Sequence, residues 1–89
     1  MNNSYIKKLQ FELQTMEMLN SETKQKHNQY MREYMIQMTQ GNPIRCCEIL
    51  EYLDKNTQQH ERFEDRINQL KREIRKNLLY QFINDISSD

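Results

Sequence analysis

Along the first forty positions, apolar residues fall at Ile6, Leu9, Leu13 and Met16, then at Tyr30, Tyr34 and Met38. The steps alternate three and four, the spacing that keeps one stripe of an α-helix turned toward a partner helix. Between the two groups the same register runs through Asn20, Thr23 and His27, so the middle of the stripe is polar. The second half repeats the plan with Cys46, Ile49 and Leu53, then Asn56 and His60, then Phe63, Ile67, Leu70 and Ile74. Two long helices are predicted, one from about Ser4 to Gln40 with Asn3 or Ser4 as its cap, the other from Pro43 to about Ile86. No turn chemistry interrupts Lys55–Gln59, so the second helix is expected to be continuous.

The break between them is Gly41-Asn42-Pro43, which holds the only glycine and the only proline of the chain. Glycine enters the left-handed region that ends a helix, and proline suits the first turn of the next. Asn42 can cap the new helix through its side chain. The expected fold is therefore all-α, one domain spanning residues 1–89, an antiparallel hairpin of two helices. Folding the chain at Asn42 sets Met38 beside Cys46, Met35 beside Ile49 and Met31 beside Leu53. His27 then falls near Thr57, Lys24 near His60, and Met16 and Leu13 near Phe63, Ile67 and Leu70. Polar middle faces polar middle, which supports the hairpin.

A two-helix hairpin covers one side of each helix. Phe11, Met18, Leu19, Met31, Met35, Ile36, Ile44, Leu50 and Tyr52 widen the apolar stripe beyond what one partner helix needs. A dimer of hairpins, four helices in all, is the simplest cover. Composition points the same way. Only 36% of the 89 residues are apolar, none of them Ala, Val or Trp, so a lone copy buries little core for its ordering cost.

The 13 basic and 13 acidic residues balance, which argues against a nucleic-acid binder. A local basic excess, Arg62, Arg66, Lys71, Arg72, Arg75 and Lys76 against Glu64, Asp65 and Glu73, reads first as a solvated helix face and second as a weak phosphate-binding track. Cys46 and Cys47 are adjacent and cannot form a disulfide framework. With no signal peptide and no long apolar span, the expected setting is soluble, reducing and intracellular.

Two regions are candidate interfaces. Leu78, Leu79, Phe82, Ile83 and Ile86 recur at helical spacing near the end of the second helix. With residue 78 opposite Ile6, the last three overhang the first helix and call for a partner or a symmetry mate. A membrane contact through this segment and its basic flank is a minor alternative. The other region is the aromatic and methionine run Tyr30, Met31, Tyr34, Met35, Ile36 and Met38, readable as core near the turn or as an adaptable binding surface. His27, His60, Cys46 and Cys47 share no metal-ligand spacing. The histidines read as register-setting polar residues and the cysteines as small buried apolar ones. No glycine-rich loop or nucleophile elbow is present. No catalytic residue, metal or cofactor is expected, and the chain reads as a non-enzyme whose partners are itself and other helical, coiled-coil proteins.

The segment from Tyr30 to Met38, followed closely by Asn42-Pro43, resembles synaptonemal complex central element protein 3. That family is similarly short, with a long helix carrying an aromatic–methionine stretch, an Asn-Pro turn and a second helix. The match covers about 15 residues and needs a one-residue gap at Gly41. The resemblance implies a nuclear, meiotic structural protein that dimerises through its hairpins and binds other central-element and transverse-filament proteins. The family's helix-1 segment maps onto Tyr30, Met31, Met35, Ile36 and Met38. The Asn- and Gln-rich, Ala-free composition departs from that family. Tubulin-folding cofactor A and accessory subunits of kinetochore, ciliary or mitochondrial complexes share the hairpin pattern and imply an adaptor, with the cytoplasm expected in place of the nucleus.

Overall fold

A computed structural model of the chain describes residues 3–87. They form two α-helices, α1 over Asn3–Thr39 and α2 over Pro43–Ser87, packed side by side as an antiparallel hairpin. The particle is a rod of 73 × 14 × 14 Å. The expected helices are present, each bounded within a residue of its sequence prediction.

The reversal is built from backbone bonds that the local residues dictate. Gly41 has a φ of +69°, and its N–H donates to the Met38 carbonyl at 3.1 Å. Asn42 N–H donates to the Gln37 carbonyl at 3.0 Å. This pair of bonds is a Schellman closure, which ties up the last carbonyls of α1 and needs a left-handed residue at Gly41. Asn42 then serves α2. Its Oδ1 accepts the Arg45 N–H at 3.2 Å, and its carbonyl accepts the first intrahelical bond, from Cys46 N–H at 3.1 Å. Pro43 occupies the first helical position, where no N–H is needed.

The core is the alternating three–four stripe. Ile6 and Leu9 of α1 and Ile49, Leu53, Ile67 and Leu70 of α2 are buried, with Ile49 fully so. Leu13, Met16, Tyr30, Tyr34, Cys46, Phe63 and Ile74 are half-buried around them. In the middle, Asn20, Thr23 and Asn56 are buried polar residues, as the facing polar stretches require.

Three expectations need correction. Met38 does not close the α1 stripe; it is 56% exposed and Gln37 takes the half-buried place. Strict alternation from Tyr34 takes three steps to residue 37, not four, and the amide of Gln37 is served by Glu33 Oε1 at 3.1 Å. Met31 and Met35, expected against Leu53 and Ile49, are likewise exposed. Cys47, expected to be buried, is exposed beside a half-buried Cys46.

The register is also displaced. His60 and Asn56 meet Asn20 and Thr23, about one turn nearer the α1 N-terminus than folding at Asn42 would place their mates. The cause is the Schellman closure. The chain reverses at Gln40 and Gly41, and Asn42 already belongs to α2 as its cap. Ile6 therefore lies about level with Ile74, which is half-buried, rather than with the exposed Leu78.

Candidate interaction surface

The two flanks of the seam differ. On one, residues that immediately precede a seam position pair across the helices. Arg66 donates from Nε at 2.8 Å and from Nη2 at 2.6 Å to Glu12 Oε1. Arg45 reaches Glu33 at 4.0 Å and binds Glu48 within its own helix at 2.9 Å. The bond to Glu48 raises the affinity of the Arg45 guanidinium for its proton, partly countered by desolvation, with the charges of Glu48 and Glu33 adding to the rise. The rings of Tyr30 and Tyr52 stack near this end, with centroids 5.6 Å apart and planes 16° from parallel. Stacked rings of this kind add to their burial energy.

Residues on the opposite flank immediately follow a seam position. Glu17 and Lys24 of α1 and Glu64 and Lys71 of α2 line one shallow cleft with Asn20, Ser21 and Ile67. Beside it lies a cleft of about 400 Å³ lined by Thr23, Lys24, His27, Asn28, Asn56, Thr57 and His60. His27, Thr57, Lys24 and His60 all line it, but the displaced register sets His60 against Asn20, one turn before its expected mate Lys24.

The floor of these clefts is a polar layer of two adjacent hydrogen-bonded groups. Asn20 Nδ2 donates to Glu64 Oε1 at 2.6 Å, and Asn20 Oδ1 lies 2.7 Å from His60 Nδ1, which carries the proton in that bond. Asn56 Nδ2 donates to the Thr23 carbonyl at 3.1 Å, and Thr23 Oγ1 to the Leu19 carbonyl at 3.0 Å. Among the described residues, no buried side-chain nitrogen or oxygen lacks a hydrogen-bond partner. A satisfied layer of this kind penalises any sliding of one helix along the other, since a slip would orphan its polar groups. Among the described residues, no three His, Cys, Asp or Glu side chains converge as a metal site would require.

The candidate interface residues all lie outside the seam except Tyr30. Met31, Met35, Ile36 and Met38 are exposed near the turn, so the methionine run is surface rather than core; Ile44, Leu50 and Cys47 are exposed on α2 at the same end. At the other end, Leu78, Leu79, Phe82, Ile83 and Ile86 are exposed, Phe82 to 62%. Tyr80, missed as a candidate, is exposed among them with Lys76 Nζ 5.9 Å from its ring centre. Its position in the same apolar run was the signal available in the sequence. The basic stretch 62–76 does not form one face. Arg66 and Arg72 line a groove with Tyr5 and Leu9, whereas Lys71 lines the cleft of Lys24 and Glu64. Among the described residues, no helix is long and apolar enough to cross a membrane.

No protein-family model, no curated protein and no solved structure matches the chain.

Proposed function

We propose that this chain is a non-enzymatic structural protein, a helical hairpin that self-associates and binds partner helices as a scaffold or adaptor. One observation carries the reading. Among the described residues, six hydrophobic side chains are buried, whereas sixteen large ones are exposed. Such an excess inverts the usual arrangement, and exposed apolar surface in clusters marks a protein interface. Each buried Leu, Ile or Phe stabilises an assembly by about 1.5–3 kcal/mol before ordering costs. Six in one seam leave a single copy poorly supported, and a second hairpin packed on one side would cover part of the rest.

Sedimentation or light scattering at micromolar concentration tests the reading. A dimer or larger species is expected. A well-folded monomer that shows no association up to about 100 μM would overturn the self-association. The resemblance around Tyr30–Met38 and Asn42-Pro43 gives the particular form of the proposal, a central-element component of the synaptonemal complex. Its support is the exposure of Met31, Met35, Ile36 and Met38, which leaves the resembling segment available to other helices. Localisation in meiotic nuclei tests that form. A cytoplasmic distribution would turn the reading toward an adaptor of another complex.

A further inference from the structure

The cleft flank carries, along α2 alone, an order of chemistry that reverses onto itself. Leu50 stands two heptads before Glu64, and Leu78 one heptad after Lys71, so all four share one side of the seam, the side on which Glu64 and Lys71 line a common cleft. Three residues before each of Leu50, Thr57 and Glu64, and four after each of Lys71 and Leu78, lie their outer neighbours on the same side: Cys47, Asp54, Glu61, Arg75 and Phe82. From the turn outward the side reads apolar at Cys47 and Leu50, acidic at Asp54, Glu61 and Glu64, basic at Lys71 and Arg75, and apolar at Leu78 and Phe82. Met31 and Met38 of α1 extend the apolar patch at the turn, since they follow Lys24 by one and two heptads.

We propose that a second copy of this chain covers this side in antiparallel orientation, so that the methionine tip of each hairpin receives Leu78 and Phe82 of the other. The inference rests on the self-association proposed above and gives it an orientation. A single two-fold axis beside Glu64 sets Leu50 level with Leu78, Asp54 with Arg75 and Cys47 with Phe82 at once. Glu64 meets its own counterpart at the axis, the one like-charge pair of the arrangement, and there its carboxylate accepts from Asn20 of its own chain. Parallel copies would instead set Asp54 and Glu61 against their own kind and Lys71 and Arg75 likewise, which like-charge repulsion disfavours. The antiparallel arrangement covers both apolar ends with each other. The charge order sets the direction, and the apolar ends supply the affinity.

Cys47 and position 82 lie about 52 Å apart along one helix, so no disulfide can join them within a chain. In the full chain carrying Phe82→Cys, mild oxidation is expected to give covalent dimers whose peptide map shows links between Cys47 and position 82. Links of Cys47 to Cys47 or of 82 to 82 as the dominant products would overturn the arrangement. Because Phe82→Cys removes an apolar contact, a charge exchange provides a second measure. Asp54→Lys is expected to weaken dimerisation about tenfold, and the pair Asp54→Lys with Arg75→Asp to restore it. A pair no tighter than the single variant would overturn the arrangement while leaving self-association standing. A wild-type chain that stays monomeric in the same sedimentation runs would remove both.

Discussion

Asn20 and His60 are bound to each other across the hairpin, with Asn20 Oδ1 2.7 Å from His60 Nδ1. Asn20 also holds Glu64, so one buried amide joins two residues one turn apart on the other helix. That contact and the bond from Asn56 to the Thr23 carbonyl set how far α2 is slid along α1. Polar residues in a seam trade stability for a defined register.

Asn56→Leu should reveal the trade. The Thr23 carbonyl remains available to its own helix, so the substitution adds apolar seam at a buried place without orphaning that group. Stability is expected to rise by roughly 1 kcal/mol, as polar-to-apolar changes at seam positions do. The gain should come with a mixture of registers or oligomeric states, visible by sedimentation. A uniquely assembled, more stable variant would show that the polar layer does not specify register.

Gly41→Ala tests the reversal. Nothing lies within 4 Å of a Cβ placed there, so the cost is that of the backbone alone. A φ of +69° costs an L-residue about 1 kcal/mol, and Gly41→Asn less. Urea denaturation followed at 222 nm should order the three proteins Gly, Asn, Ala. Equal midpoints would contradict the Schellman geometry.

Asn42→Ala removes the acceptor for the Arg45 N–H and should lower stability by about 1 kcal/mol. Asn42→Ser or Asn42→Asp should retain most of it. The comparison separates capping from any loss of contacts at the turn, because the conservative variants keep only the cap.

Ile49→Ala and Ile44→Ala should part company. Ile49 is fully buried, and its truncation should cost about 2–5 kcal/mol of unfolding free energy. Ile44 is 74% exposed, so the change there should stay within about 0.5 kcal/mol in a single hairpin. If Ile44→Ala lowers the thermal midpoint only at concentrations where the chain associates, the tip is buried in the assembly.

Glu12→Gln removes the charge from the two-donor contact with Arg66 while leaving an oxygen that can accept. Both side chains are more than a third exposed, so the loss should be at most about 1 kcal/mol and should shrink in high salt. A larger, salt-independent loss would mean that the pair lies within a dimer interface.

The seam residues from Ile6 to Ile74 could be read from three–four spacing, and the reversal from Gly41, Asn42 and Pro43, because helix formation and capping depend on neighbours a few residues away. Even the facing polar stretches followed from symmetry about the turn. Tertiary structure decided the rest. The cap role of Asn42 moved the reversal back to Gln40 and Gly41, which brought His60 to Asn20. Packing against α2 selected Gln37 over Met38 for the inward place, although strict alternation already pointed there, and left the methionine run on the surface instead of in the core. Local sequence determines where helices start, stop and turn their apolar stripe. Which residues meet across the hairpin, and so which apolar side chains stay exposed, depends on the sum of long-range contacts that no local signal encodes.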